Sequence, residues 1–144
     1  VSPTEENQSD RFEQLPATAS QRRVPERPTR ADVLELFAER FEISPSVFDA
    51  HTFWEKGAGK VWAYSGAAPS PLRIETLGMS ILRTRQEHWK PTTNAAQRFG
   101  THASRNVIEL SERAATRFLA GEDQEIDWDG DWGYLIAAHE LAGE

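Results

Sequence analysis

HTFWEKGAGKVWAYSG, residues 51–66, decides the fold. Two aromatic-rich runs flank Gly57, Ala58 and Gly59. Aromatic and β-branched residues favour extended backbone, and a glycine-rich break of this length favours a tight reversal, so the stretch reads as a β-hairpin. Phe53, Trp54, Trp62 and Tyr64 alternate imperfectly, which leaves open which rings face inward; core or cross-strand packing is the default role for each.

Upstream of the hairpin the period changes. Thr29 with Asp32 three residues on approximates a capping box, and Val33, Leu34, Leu36, Phe37 and Phe41 give one apolar face, so a helix is predicted over 30–42. Ser44-Pro45 marks a second helical turn that Val47 and Phe48 pin to the core. Residues 1–28 hold four prolines, many Ser, Thr, Gln and Glu, and few apolar residues. Such a segment buries too little to offset its ordering entropy, and a mobile, solvated tail is expected.

Downstream, residues 67–71 read as a rigid connection, followed by strands over 72–75 and 79–84 that are bent or broken at Gly78. Pro91 forbids a helix through Lys90, and Thr92 or Thr93 caps a short helix ended by Gly100, whose first N–H groups offer an anion site beside Lys90. A strand over 106–110 follows, then a helix over 112–120 capped by Ser111 and closed by Gly121, with Ala114, Ala115, Phe118 and Leu119 as its buried side. An acidic loop over 122–131 leads to GYLIAA, the most strand-like run of the chain. The mixture predicts an α+β fold.

Composition narrows the chemistry. At 144 residues the chain suits one core or two small lobes sharing an interface, and its lack of Cys leaves no disulfide, thiolate metal site or cysteine nucleophile. No run suggests a membrane span or a signal peptide, and the expected location is cytoplasmic. The net charge is −7 and bases are thirteen Arg against three Lys, a balance that favours a salt-adapted cytoplasm. There the Debye length falls to about 3 Å, so stacking and short contacts matter more than long-range attraction. The four His residues lack HxxxH or HxH spacing, and Asp127, Asp129 and Asp131 are followed by Trp132 and Ala138 where an EF-hand needs Gly and Glu. No phosphate cradle, nucleophile elbow or dinucleotide fingerprint is present, so neither an enzyme nor a cofactor or metal site is expected.

One stretch reverses the acidic balance. Residues 83–106 carry Arg83, Arg85, Lys90, Arg98 and Arg105 against Glu87 alone. The five bases are candidate phosphate contacts, with Trp89 and His88 as candidates to stack on an exposed base. The competing reading is salt bridges to the acidic surface with Trp89 in the core.

HTFWEKGAGKVW and the 82–122 region, above all the block from Lys90 to Leu110, resemble the accessory region of archaeal Nop/Sun-type RNA cytosine-5 methyltransferases and of ribosome-biogenesis PUA proteins. The resemblance spans 30–144. It implies a pre-PUA-like α/β lobe over 29–86 after the tail, then a PUA-like small β-barrel over 87–144 whose last strands are missing, leaving the edge at 134–138 unpaired. It further implies a non-catalytic protein that binds rRNA or tRNA, since the methyltransferase domain and its S-adenosylmethionine site are absent. The alternative is an acidic adaptor that docks on an RNA methyltransferase or ribosomal protein, again away from membranes.

Overall fold

The computed structural model describes residues 12–23, 27–57, 59–65, 78–85, 87–126, 128 and 134–139. The expected strand over 72–75, its preceding connection and the three loop aspartates lie outside them. Helix α1 (Arg30–Phe41) starts as its sequence predicts: Asp32 N–H donates to Thr29 Oγ1 at 3.1 Å and Thr29 N–H donates back to the Asp32 carboxylate at 3.0 Å. Its buried face is Val33, Phe37 and Phe41, one residue per turn. Ser44 and Pro45 start a 3-10 turn, Pro45–Phe48, that buries Phe48.

The hairpin pairs strands β2 (His51–Lys56) and β3 (Lys60–Ser65). Around it an antiparallel sheet assembles in the order β1-β2-β3-β4-β5, with β1 (Phe12–Gln14), β4 (Met79–Arg83) and β5 (Lys90–Pro91). Two expectations change here. Residues 12–14 pair with β2 and Leu15 is buried, so this part of the expected tail is anchored: Leu15 N–H donates to the Phe53 carbonyl at 2.9 Å. The boundary at 86/87 is crossed by the sheet, because β5 bonds to β4, and by the core, because Ala95 and Phe99 of helix α2 (Thr93–Phe99) pack with Phe37, Phe48 and Phe53.

The fold is α+β, with α1 and α2 against one face of the five-stranded sheet. Val61, Ala63, Phe53 and Leu82 face that core. The register between β3 and β4 shifts at Val61/Trp62, leaving Ile81 as an extra residue, and both Ile81 and Leu82 are fully buried. Among the described residues the sheet closes no barrel, and β1 and β5 are its edges.

One C-terminal expectation is also corrected, the buried side of the last helix. The strand in GYLIAA pairs on one side, β7 (Ile136–Ala138) running parallel to β6 (Val107–Glu109), and among the described residues no strand pairs with its other edge. Helix α3 (Glu112–Leu119) is capped by Ser111 and followed by Gly121 at φ +84°, as predicted. Its buried side is Ala115, however, while Phe118 and Leu119 are 52% and 79% exposed. Among the described residues, no helix is long and apolar enough to cross a membrane.

Candidate functional site

The register of the central strands builds a row of like charges. Lys60 of β3 sits opposite Arg83 of β4, which sits opposite Lys90 of β5. Directly opposed residues share a face, and here it is the face away from the core, since Val61 and Leu82 beside them point inward. Like charges directly opposite one another are destabilising. Among the described residues no ion pair reaches Lys60, Arg83, Arg85 or Lys90. Lys90 instead places Nζ 5.4 Å from the centre of the Tyr134 ring.

Two more cations join the row at the hairpin end. Lys56 lies with Nζ 5.5 Å from the Phe12 ring centre. Arg85 lies across Gly59, its side chain occupying the space a Cβ would need there, and Gly59 has φ +102°. Thr84 N–H donates to the Gly59 carbonyl at 2.9 Å, tying the segment after β4 to the turn. A side chain at position 59 would displace Arg85 as well as strain the turn.

The same face carries aromatic rings. Trp62, two residues from Lys60, is half-buried and meets Phe12 edge-on, with centroids 5.5 Å apart at 88°. Its register partners are Trp54 and Ser80. Trp54 is a supporting ring, 9% exposed, with Nε1–H donating to Thr52 Oγ1 at 2.7 Å.

The structure therefore divides the residues singled out from sequence. Arg83, Arg85 and Lys90 come together at the sheet end. His88 is exposed in the connection before β5. Trp89 is half-buried against the core and lines a groove of about 1010 Å³ with Leu36, Arg40 and Trp128, so it is in a packing position. Arg98 is exposed on α2 and lines a separate cleft with Trp62. Arg105 is engaged elsewhere: it donates to the Glu39 carbonyl at 2.6 Å and pairs with the Glu42 carboxylate. Ser104 and Asn106 complete a clamp on the end of α1, Asn106 Nδ2 donating to the Arg40 carbonyl at 2.6 Å and Ser104 N–H to that of Phe41 at 2.9 Å. Glu42 itself is left-handed at φ 53°.

Sequence reading missed Lys56, Lys60 and Trp62 as members of this face. The signal was present in the hairpin, where even-numbered residues 56, 60, 62 and 64 share a side once the Gly57–Gly59 turn is fixed. The expected anion site at the start of α2 is also altered, because Thr92 Oγ1 already accepts from Ala95 N–H at 3.1 Å.

Among the described residues, three titrating groups are shifted. Burial pushes the Glu55 carboxyl up, against the partial relief of Arg27, whose guanidinium lies 3.4 Å away; neighbouring Glu13 adds to the rise. Burial lowers His51, with the charges of Arg98 and Arg30 acting in the same direction. Its Nδ1 is buried without a hydrogen-bond partner, and its ring lies 5.3 Å from that of Phe99. Hydrogen bonding from Ser104, then the charge of Arg105, holds Glu42 low. Among the described residues, no group of three or more His, Asp or Glu side chains could hold a metal ion.

A model of one protein family matches residues 1–78, more than half of the chain. The chain belongs to DUF7122, a family of unknown function. The DUF7122 match takes in β1, α1 and the hairpin with Lys56, Lys60 and Trp62, and ends at Gly78, before β4, β5 and α2. No curated protein and no solved structure matches the chain.

Proposed function

We propose that this is a non-catalytic RNA-binding protein, acting on rRNA or tRNA during processing or modification, whose contact surface is the outer face of the sheet end. The observation that carries the reading is the row Lys60–Arg83–Lys90, three like charges held side by side with no ion-pair partner among the described residues. A polyanion supplies the missing counter-charge, and half-exposed rings beside cations suit stacked bases. The excess negative charge lies in another part of the sequence: residues 107–144 hold ten acidic and two basic residues, leaving residues 1–106 at a net +1.

The resemblance to PUA-bearing RNA-modification proteins supports the same reading. The test is binding of the purified chain to a pool of rRNA and tRNA over a salt series. Affinity is expected to fall with a log–log slope of about −0.7 to −0.9 per phosphate neutralised. Failure of the folded protein to bind at low salt contradicts the reading.

One observation favours a second reading, an acidic adaptor for an RNA methyltransferase or ribosomal protein. Phe118 borders an apolar pocket of about 230 Å³ with Ile108, Ile126 and Leu135, rimmed by Glu122 and Asp123. A basic segment with aliphatic anchors would complement it, and such binding would change little with salt if burial dominates.

A further inference from the structure

At the edge of β4 beside α2 lies a cleft of about 410 Å³, with Trp62, Met79 and Ser80 on the sheet side and Asn94, Gln97 and Arg98 on the helix side. Its volume is in the range of small-ligand sites, room for a base and its sugar and too little for a duplex. Its position matters as much as its size. Trp62 and Ser80 form the cross-strand pair next to Lys60 and Arg83 on the same side of the sheet, about 7 Å along the strand.

The helix wall is held in place by the bulge in β4. Thr92 Oγ1–H donates to the Ser80 carbonyl at 2.6 Å, and Thr92 N–H donates to the Ile81 carbonyl at 3.0 Å. The other face of α2 is locked by Ala95 and Phe99, each 2% exposed in the core. With both ends of this arrangement fixed, Asn94 and Gln97, one turn apart, are kept on the cleft side.

The chemistry of the lining is selective. Neither the Asn94 nor the Gln97 side chain has a hydrogen-bond partner among the described residues. Each amide offers two donors and an acceptor in one plane, the pattern that pairs with the edge of a base. Trp62 offers a ring for stacking, and Arg98 a cation at the rim. Among the described residues that line the cleft, none carries a carboxylate, which would repel a phosphate.

We infer that the cleft takes one unpaired nucleobase of an RNA single strand, stacked on Trp62 and read at its edge by Asn94 and Gln97, while Arg98 and the Lys60–Arg83–Lys90 row hold the adjoining phosphates. The inference rests on the RNA reading above and specifies it, since it requires single-stranded RNA and base preference where the charge row alone requires neither.

The test is fluorescence anisotropy with ten-nucleotide oligo(rA), oligo(rC) and oligo(rU) and a ten-base-pair RNA duplex, for the full chain, Asn94→Ala/Gln97→Ala and Trp62→Ala. The first variant alters exposed side chains, and thermal melting checks its fold. Expected for the full chain are tighter binding to single strands than to duplex and about tenfold discrimination among the homopolymers. Asn94→Ala/Gln97→Ala should lose the discrimination and keep the salt slope, and Trp62→Ala should weaken all three homopolymers. Discrimination that survives Asn94→Ala/Gln97→Ala, its absence from the full chain, or duplex bound as tightly as single strands, overturns the cleft while leaving RNA binding by the charge row standing. Failure to bind any of the four probes overturns both.

Discussion

The sheet end and the C-terminal end of α1 both draw cations from residues 83–106, and they use them in opposite ways. At α1, Arg105 is consumed by the fold, its guanidinium divided between the Glu39 carbonyl and the Glu42 carboxylate. At the sheet end, Arg83 faces only other cations across its strand neighbours. The two arginines are alike in the sequence and both exposed. What separates them is whether the fold brings an acceptor to the guanidinium, so a charge count over a segment measures the supply of cations and not how many remain available to a ligand.

The strongest way to break this contrast is to collapse the sheet end itself. Gly78 has φ +63°, and an added methyl there would collide with the Ala63 carbonyl oxygen, a backbone atom of β3 that cannot give way cheaply. Gly78→Ala should destabilise the protein by at least about 2 kcal/mol, read by denaturant unfolding, and should reduce RNA binding with it. An unfolding midpoint equal to that of the unsubstituted chain would show that the observed approach of β4 to β3 is wrong.

A smaller effect is expected at His51, where a ring nitrogen is buried without a partner. His51→Phe keeps the ring among Phe48 and Phe99 and removes the unsatisfied atom, so stability at neutral pH should be unchanged or rise by up to about 1 kcal/mol. Because the folded pKa of His51 lies below its ordinary 6.5, its neutral form contributes stability above pH 6.5 that is lost as pH falls through the folded pKa. The variant should lack that loss.

Glu55 works with the opposite sign. Its folded pKa lies above the ordinary 4.5, so its contribution is fully present below pH 4.5 and is lost as pH rises through the folded value. Thermal melts across that window should show Glu55→Gln flattening this dependence, leaving the acid-side loss from His51 more visible. A pH profile identical to that of the unsubstituted chain would contradict burial of an ionisable carboxyl beside Arg27.

The smallest effect is expected at Phe118 and Leu119. Phe118→Ser with Leu119→Ser alters side chains that are 52% and 79% exposed, so stability should move by no more than about 0.5 kcal/mol per site. RNA affinity should not change. Loss of a basic protein partner in this variant, with RNA binding absent throughout, would move the adaptor reading ahead.

Much of the local structure was legible in the chain. The Thr29–Asp32 box, the turn at Pro45, the glycine hairpin and the Thr92 and Ser111 caps are decided within a few residues, and each is present. Long-range decisions were not. Phe12 to Gln14 carries no strong strand pattern of its own, and what holds it is pairing with β2 some forty residues away. Phe118 and Leu119 look like a buried stripe, yet among the described residues nothing covers them fully. At the site, Arg83, Arg85 and Lys90 were visible as charges, whereas Lys60 joins them only through the register of β3 on β4. Trp89 and Trp62 illustrate the same limit, because only the sheet decides which ring packs against the core and which lines the cleft.

The most direct measurement is the salt dependence of RNA binding for Lys60→Ala/Arg83→Ala/Lys90→Ala beside Arg105→Ala. The triple variant should lower the log–log slope by about 2, in proportion to three lost phosphate contacts on a single strand, and Arg105→Ala should leave slope and affinity unchanged while lowering the melting temperature slightly. Equal losses of RNA affinity in the two variants, or an unchanged slope in the triple variant, would contradict RNA binding by the charge row.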